Sequence, residues 1–225
     1  MSAVKAVIYD GGMQRQISVG DIMSTSEPTI PATDTTNTTL ALTAAMLLNS
    51  SAYVRNPAGV STDTFPTADA LVTALANING VVGIPAGFSF RWSLVNLSAN
   101  VITTAVTANT GATLVRGTVA AGAAGSAAGT KTFLIQITNG TPLLTCTNIS
   151  STNANAVLTG FTDAQIKALS IGQVVTNVIA GQQGNTIIGI NAASNSVTMS
   201  GNSNTTATGQ SFTFSPTYTV TGLSL

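Results

Sequence analysis

The sequence predicts an all-β fold: a β-sandwich body, jelly-roll-like, with a few short helices, a second small β module and an N-terminal hairpin arm. Three observations lead there. From Phe88 onward apolar residues recur with period two, in short runs separated by Gly and Asn turns. Hydrophobic residues make up 44% of the chain, which rules out the low-hydrophobicity, high-charge profile of a disordered chain. Charged residues make up only 6%, against roughly 25% in ordinary soluble domains. Hydroxyls and amides must therefore keep the surface wet.

The elements follow in order. Val4–Tyr9 and Met13–Ile17 flank Asp10-Gly11-Gly12 and predict a hairpin, the arm spanning residues 1–30. A two-stranded hairpin is marginal alone in water, so this one needs something to lie against. Thr43–Leu48 predicts a short helix and Ala52–Arg55 a strand that Asn56-Pro57 and Gly59 end. Pro66–Ala76 is the clearest helix, with Ala68, Leu71, Val72 and Leu75 at helical spacing and Gly80 beyond its end. Phe88, Phe90, Trp92 and Leu94 then share one strand face. Val95 and Leu97 shift the phase, which predicts a bulge or burial on both faces. Val101–Thr107, Ala112–Val119 and Lys131–Thr138 continue the strands, the last with Phe133, Ile135 and Ile137 inward.

In the final third, Thr162 and Gln165 form a capping-box pattern ahead of Ile166 and Leu169. Strands are predicted at Val174–Ile179, Thr186–Ile190, Ser196–Ser200 and Ser211–Phe214. The strand Phe133–Thr138 runs into Thr141-Pro142, and much later Ser215-Pro216 runs into the alternating Thr217–Leu223. Removing the stretch between leaves a hairpin. Residues 143–216 are thus expected as a small β domain inserted into a main sandwich of 31–142 plus 217–225. A second domain in series is the competing arrangement.

The search for chemistry finds none. The chain has no histidine, which removes Ser-His and Cys-His nucleophile systems and most zinc and iron sites. The seven acids fall mostly at turns and helix starts, where they serve as turn formers and caps. Gly125-Ser126-Ala127-Ala128-Gly129-Thr130-Lys131-Thr132 has the wrong spacing for a phosphate-binding loop and precedes a strand. Cys146 reads as a small buried hydrophobe and Trp92 as a core residue. No catalytic residue, cofactor or metal is expected. Net charge is zero and the seven cations are scattered, so nucleic acid is not an expected partner. Leu40–Leu48 is too short to span a bilayer, so no membrane is expected either.

Three stretches resemble virion proteins of tailed bacteriophages. Val7-Ile8-Tyr9-Asp10, Arg15-Gln16-Ile17 and Gly20-Asp21 resemble attachment segments. Arg55-Asn56-Pro57, Thr62–Ala68 with Ala70-Leu71, Gly87–Arg91 and Gly111–Leu114 resemble capsid decoration (cement) and head-fibre proteins. Gly172–Val175, Asn185–Ile188, Val197–Ser200 and Ala207–Gly209 resemble a small β module of phage surface and fibre proteins. The resemblance implies a structural, non-enzymatic protein on the capsid surface of the virion, with the major capsid protein and copies of itself, as a homotrimer, for partners. Low charge also makes subunit packing cheap in desolvation. The expected contact with the coat protein is the arm, through Val7, Ile8, Tyr9, Met13, Arg15 and Ile17. A tail-fibre or receptor-binding protein recognising host glycans is the alternative, and a glycan-processing enzyme a third.

Overall fold

The computed structural model describes residues 7–10, 13–16, 33–35, 39–120 and 129–223, with the backbone alone at 7–10 and 13–16. The described chain is mostly strand with three short helices. Its strands form a two-stranded sheet, a body of two facing sheets, and a separate six-stranded sheet.

The body contains β3 (Leu40–Ala41), α1 (Ala44–Leu48), β4 (Ala52–Arg55), β5 (Ser61–Phe65), α2 (Ala68–Asn79), β6 (Ser89–Asn96), β7 (Ile102–Val106), β8 (Ala112–Val115), β9 (Thr118–Val119), β10 (Thr130–Asn139) and β17 (Thr217–Gly222). One sheet runs β4-β6-β10-β17-β8 and the other β3-β5-β7-β9. From β3 to β10 the chain alternates between the two sheets at every strand. Two successive crossings bring it back in its original direction, so neighbours such as β4–β6 and β5–β7 are parallel. The facing sides share one core. Trp92, Phe133, Ile135 and Tyr218 come from the first sheet and Phe65, Ile102 and Val119 from the second. The Phe65 ring meets Trp92 and Phe133 edge-on at 5.9 and 5.3 Å, the arrangement aromatic quadrupoles favour.

Helix α2 presents Leu71, Val72, Leu75 and Ala76 to this core. Thr67 caps its start, accepting from the Ala70 N–H, and Gly80 ends it in a left-handed conformation at φ 63° that glycine adopts without steric cost. The helix thus runs three residues past the predicted Ala76. Val95 of strand β6 and Leu97 just past its end are half-buried on the face opposite Trp92 and Leu94, and of the two expected outcomes the bulge is the one that does not occur. Strand β6 pairs with β10 with no register shift, and the alternation continues through a buried Asn96. No bulge forms at Val95–Leu97, because the Asn96 amide is satisfied inside: Nδ2 donates to Asn100 O and Ala120 O, and Oδ1 accepts from the Ser98 N–H. The predicted strand Ala112–Val119 is two strands in two sheets. The break lies at Arg116, φ 60°, and Gly117.

Strand β17 lies between β10 and β8. It pairs antiparallel with β10 from Phe133↔Gly222 to Ile137↔Tyr218 and parallel with β8. Between β10 and β17 come β11 (Leu144–Ser151), β12 (Val157–Thr159), α3 (Asp163–Ala168), β13 (Val174–Val175), β14 (Ile187–Asn191), β15 (Ser196–Met199) and β16 (Ala207–Ser215). These strands form the sheet β13-β16-β11-β12-β15-β14 around a second core containing Cys146, Ile149, Leu158, Phe212 and Phe214. Its ends meet: Gly172 N–H donates to Ile187 O, Ile187 N–H to Gln173 O, Val175 N–H to Asn185 O, and Gly184 N–H to Val175 O, at 2.8–2.9 Å. The sheet therefore closes into a small barrel where β13 meets the start of β14. The predicted strand Val174–Ile179 stops at Val175. Residues 176–186 fold back instead, with Gln182 N–H on Ile179 O and Asn185 N–H on Gln182 O. The capping box of α3 forms: Gln165 N–H donates to Thr162 Oγ1 and Thr162 N–H to Gln165 Oε1.

Candidate functional site

The expected contact segment folds as a hairpin in which β1 (Val7–Asp10) and β2 (Met13–Gln16) pair from Val7↔Gln16 to Asp10↔Met13. That register places Val7, Ile8, Tyr9, Met13 and Arg15 on the two strands, with Ile8 opposite Arg15. Ile17 lies outside the described residues. Among the described residues the hairpin is a sheet by itself, joined to neither the body nor the barrel.

The acids do not all serve as turn formers and caps. Asp69 and Asp163 do open α2 and α3. Asp63, however, is fully buried within β5, beside a fully buried Arg55. Arg55 Nε donates to Asp63 Oδ2 at 3.1 Å, and Nη2 to Asp63 Oδ1 at 3.0 Å and Ser61 Oγ at 2.9 Å. Its third nitrogen, Nη1, lies 3.2 Å from Asp34 Oδ1. Tyr53 OH donates to Asp34 Oδ2 at 2.9 Å. Burial, then the bond to Asp34, raises the Tyr53 pKa. This cluster ties the two sheets of the body to the segment arriving from the arm. A planar guanidinium fixes carboxylates in two directions at once. Sequence reasoning missed it because Asp34, Arg55 and Asp63 are neighbours only in the folded chain. The cluster is structural: every charge in it faces another member.

The body and barrel meet through buried amides. Asn139 Nδ2 donates to Ser170 Oγ and to Ile171 O, both at 2.7 Å, while its Oδ1 accepts from the Thr141 N–H at 2.9 Å. Gln173 Nε2 donates to Pro142 O at 3.1 Å, and Thr217 Oγ1 to Gly172 O at 3.3 Å. Beside this junction, a cleft of about 350 Å³ opens between Thr67, Asp69 and Asn109 of the body and Thr176, Gln183 and Ser215 of the barrel. Trp92 and Cys146 are fully buried, and burial pushes the Cys146 thiol up to about 11. Among the described residues no three His, Cys, Asp or Glu side chains gather where a metal ion would be held, and no helix is long and apolar enough to cross a membrane. Compared with protein families, with curated proteins and with solved structures, the chain matches none.

Proposed function

We propose that this chain is a structural virion protein that decorates and stabilises the capsid of a tailed bacteriophage by bridging coat subunits. The observation that carries the reading is the β1–β2 hairpin, which is paired only with itself among the described residues. Two strands alone are marginal in water, and their outer edges offer unpaired amides and carbonyls. Strand addition to a coat subunit answers both needs and gives Val7, Ile8, Tyr9, Met13 and Ile17 an apolar surface to cover. The body fits the role as well. Its ionic groups are few, and Arg55 is turned inward, so a face pressed against coat protein or a sister copy strips little charge of water. Association with itself as a homotrimer belongs to the same proposal.

The experiment is deletion of residues 1–23. The shortened chain is expected to fold and to lose binding to capsids. Unchanged decoration of heads by that variant overturns the reading. Labelling the protein on intact particles separates the head from the tail. Many copies spread over the head support decoration, and a few at the tail tip support the fibre alternative.

A further inference from the structure

We propose that the cleft between body and barrel binds a neutral saccharide, whose hydroxyls hydrogen-bond with Asp69, Asn109 and Gln183. The inference concerns the isolated chain and goes beyond the capsid reading, so either can fail without the other. At about 350 Å³ the cleft lies within the ~300–1,000 Å³ range of small-molecule sites. A second hollow of about 220 Å³ shares Asn109 with it.

The three side chains have bonding capacity to offer. Asp69 and the Asn109 carboxamide have no hydrogen-bonding or ionic partner among the described residues. Gln183 commits its Nε2 to Thr176 O at 3.2 Å, which leaves Oε1 to accept. Asn109 sits in an exposed turn at φ 59°, a left-handed conformation that Asn takes more readily than most residues. Its carboxamide is directed at the barrel, where a Cβ on Gly184 would stand 2.6 Å from Oδ1. The glycine thus makes room for the Asn109 carboxamide itself.

The lining selects the ligand class. Among the described residues no Lys or Arg lines either hollow, and Asp69 adds negative charge, so phosphates, sulfates and nucleic acid are disfavoured. Among the described residues neither is lined by an aromatic ring, so a flat base finds no described ring to stack on. A carboxylate and two carboxamides together supply acceptors and donors side by side, the set that adjacent hydroxyls engage. Without ring stacking the affinity is weak, with a Kd of about 1 mM.

The test titrates the full chain with maltotriose, cellotriose, mannotriose and acetylated chitotriose, followed by ligand-detected NMR. At least one is expected to bind saturably. Asp69→Asn and Asn109→Gly are each expected to weaken it about tenfold or more. Asn109→Gly keeps a residue suited to positive φ, and an unchanged melting curve shows that its fold is intact. The proposal is overturned if no sugar in the panel saturates by about 20 mM, if both variants bind as the parent does, or if sialyllactose outcompetes every neutral sugar.

Discussion

Replacing Arg55 by Met removes a guanidinium that is fully buried and leaves the Asp63 carboxylate, also fully buried, with Ser61 Oγ at 3.0 Å as its remaining side-chain partner. Three interactions go at once: the two-point contact with Asp63, the bond to Ser61 and the ion pair with Asp34. Breaking a buried pair from one side costs about 3–5 kcal/mol, because the surviving charge stays out of water uncompensated. At roughly 2–4 °C per kcal/mol for a chain of this size, the melting temperature falls by about 6–20 °C. Urea unfolding followed by Trp92 fluorescence measures the loss. Trp92 is the single tryptophan and lies in the body core against Phe65 and Phe133. The double variant Arg55→Met, Asp63→Leu removes both charges and is expected to recover much of the stability lost in the single one. A single variant within about 1 kcal/mol of the parent, or a double variant weaker than the single by their separate sums, would refute the electrostatic account.

Three further outcomes are expected. Asn139→Ala strands Ile171 O and the Thr141 N–H at the junction, while Ser170 Oγ keeps its bond with Thr141 Oγ1, and lowers stability by about 1–3 kcal/mol, measured by chemical denaturation; an unchanged midpoint would show that the junction does not depend on this amide. Gly117→Ala places a methyl 2.6 Å from Leu114 Cδ2 and from Thr104 Oγ1 and costs about 1–3 kcal/mol by overpacking, read as a fall in melting temperature. Alkaline pH weakens the fold: the folded Cys146 thiol ionises near 11 and the unfolded one near its ordinary 9.0, so the unfolded chain loses its proton first. That contribution is whole below pH 9 and fades up to about 11, with the buried Tyr218 hydroxyl, bonded to Pro66 O, acting in the same direction. A urea midpoint that does not move between pH 8 and pH 10.5 would contradict it.

What the sequence disclosed was local or strongly alternating. The capping box at Thr162 and Gln165, the inward face of α2 at Leu71, Val72 and Leu75 and the inward set Phe133, Ile135 and Ile137 all depend on neighbours within a few residues. The pairing of β17 with β10 was also readable, because both strands alternate cleanly and a Pro stands next to each break. Strand β5 was not. Two of its three inward positions hold Ser61 and Asp63, whose partner Arg55 sits in the other sheet. Strand β11 was missed for a different reason. Thr147 and Asn148 both face outward, with Asn148 at φ 63°, so Cys146 and Ile149 fall three apart and the period of two is lost. The alternation of β3 to β10 between sheets leaves no mark in composition, since either sheet offers the same core to an apolar residue. Of the candidate sites, the hairpin was visible as strands and a turn. The cleft was not, since its walls are brought together only by the junction at Asn139 and Gln173.

The position of β17 between β10 and β8 has a consequence for how the chain is made. On a ribosome the first 139 residues emerge without the strand that belongs in the middle of their sheet. Until residues 217–222 appear, the inner edges of β10 and β8 stand open, each a template for the wrong strand. The barrel is complete in sequence before the body is. Its folding draws Leu144 and Ser215 together as neighbours in β11 and β16, where Leu144 pairs with Phe214. The loop that β17 must close then behaves as a few residues rather than more than seventy, and the entropy of that closure falls accordingly. The barrel is thus an internal splint for the body, and a substitution that melts it would be felt first as a body that never shuts.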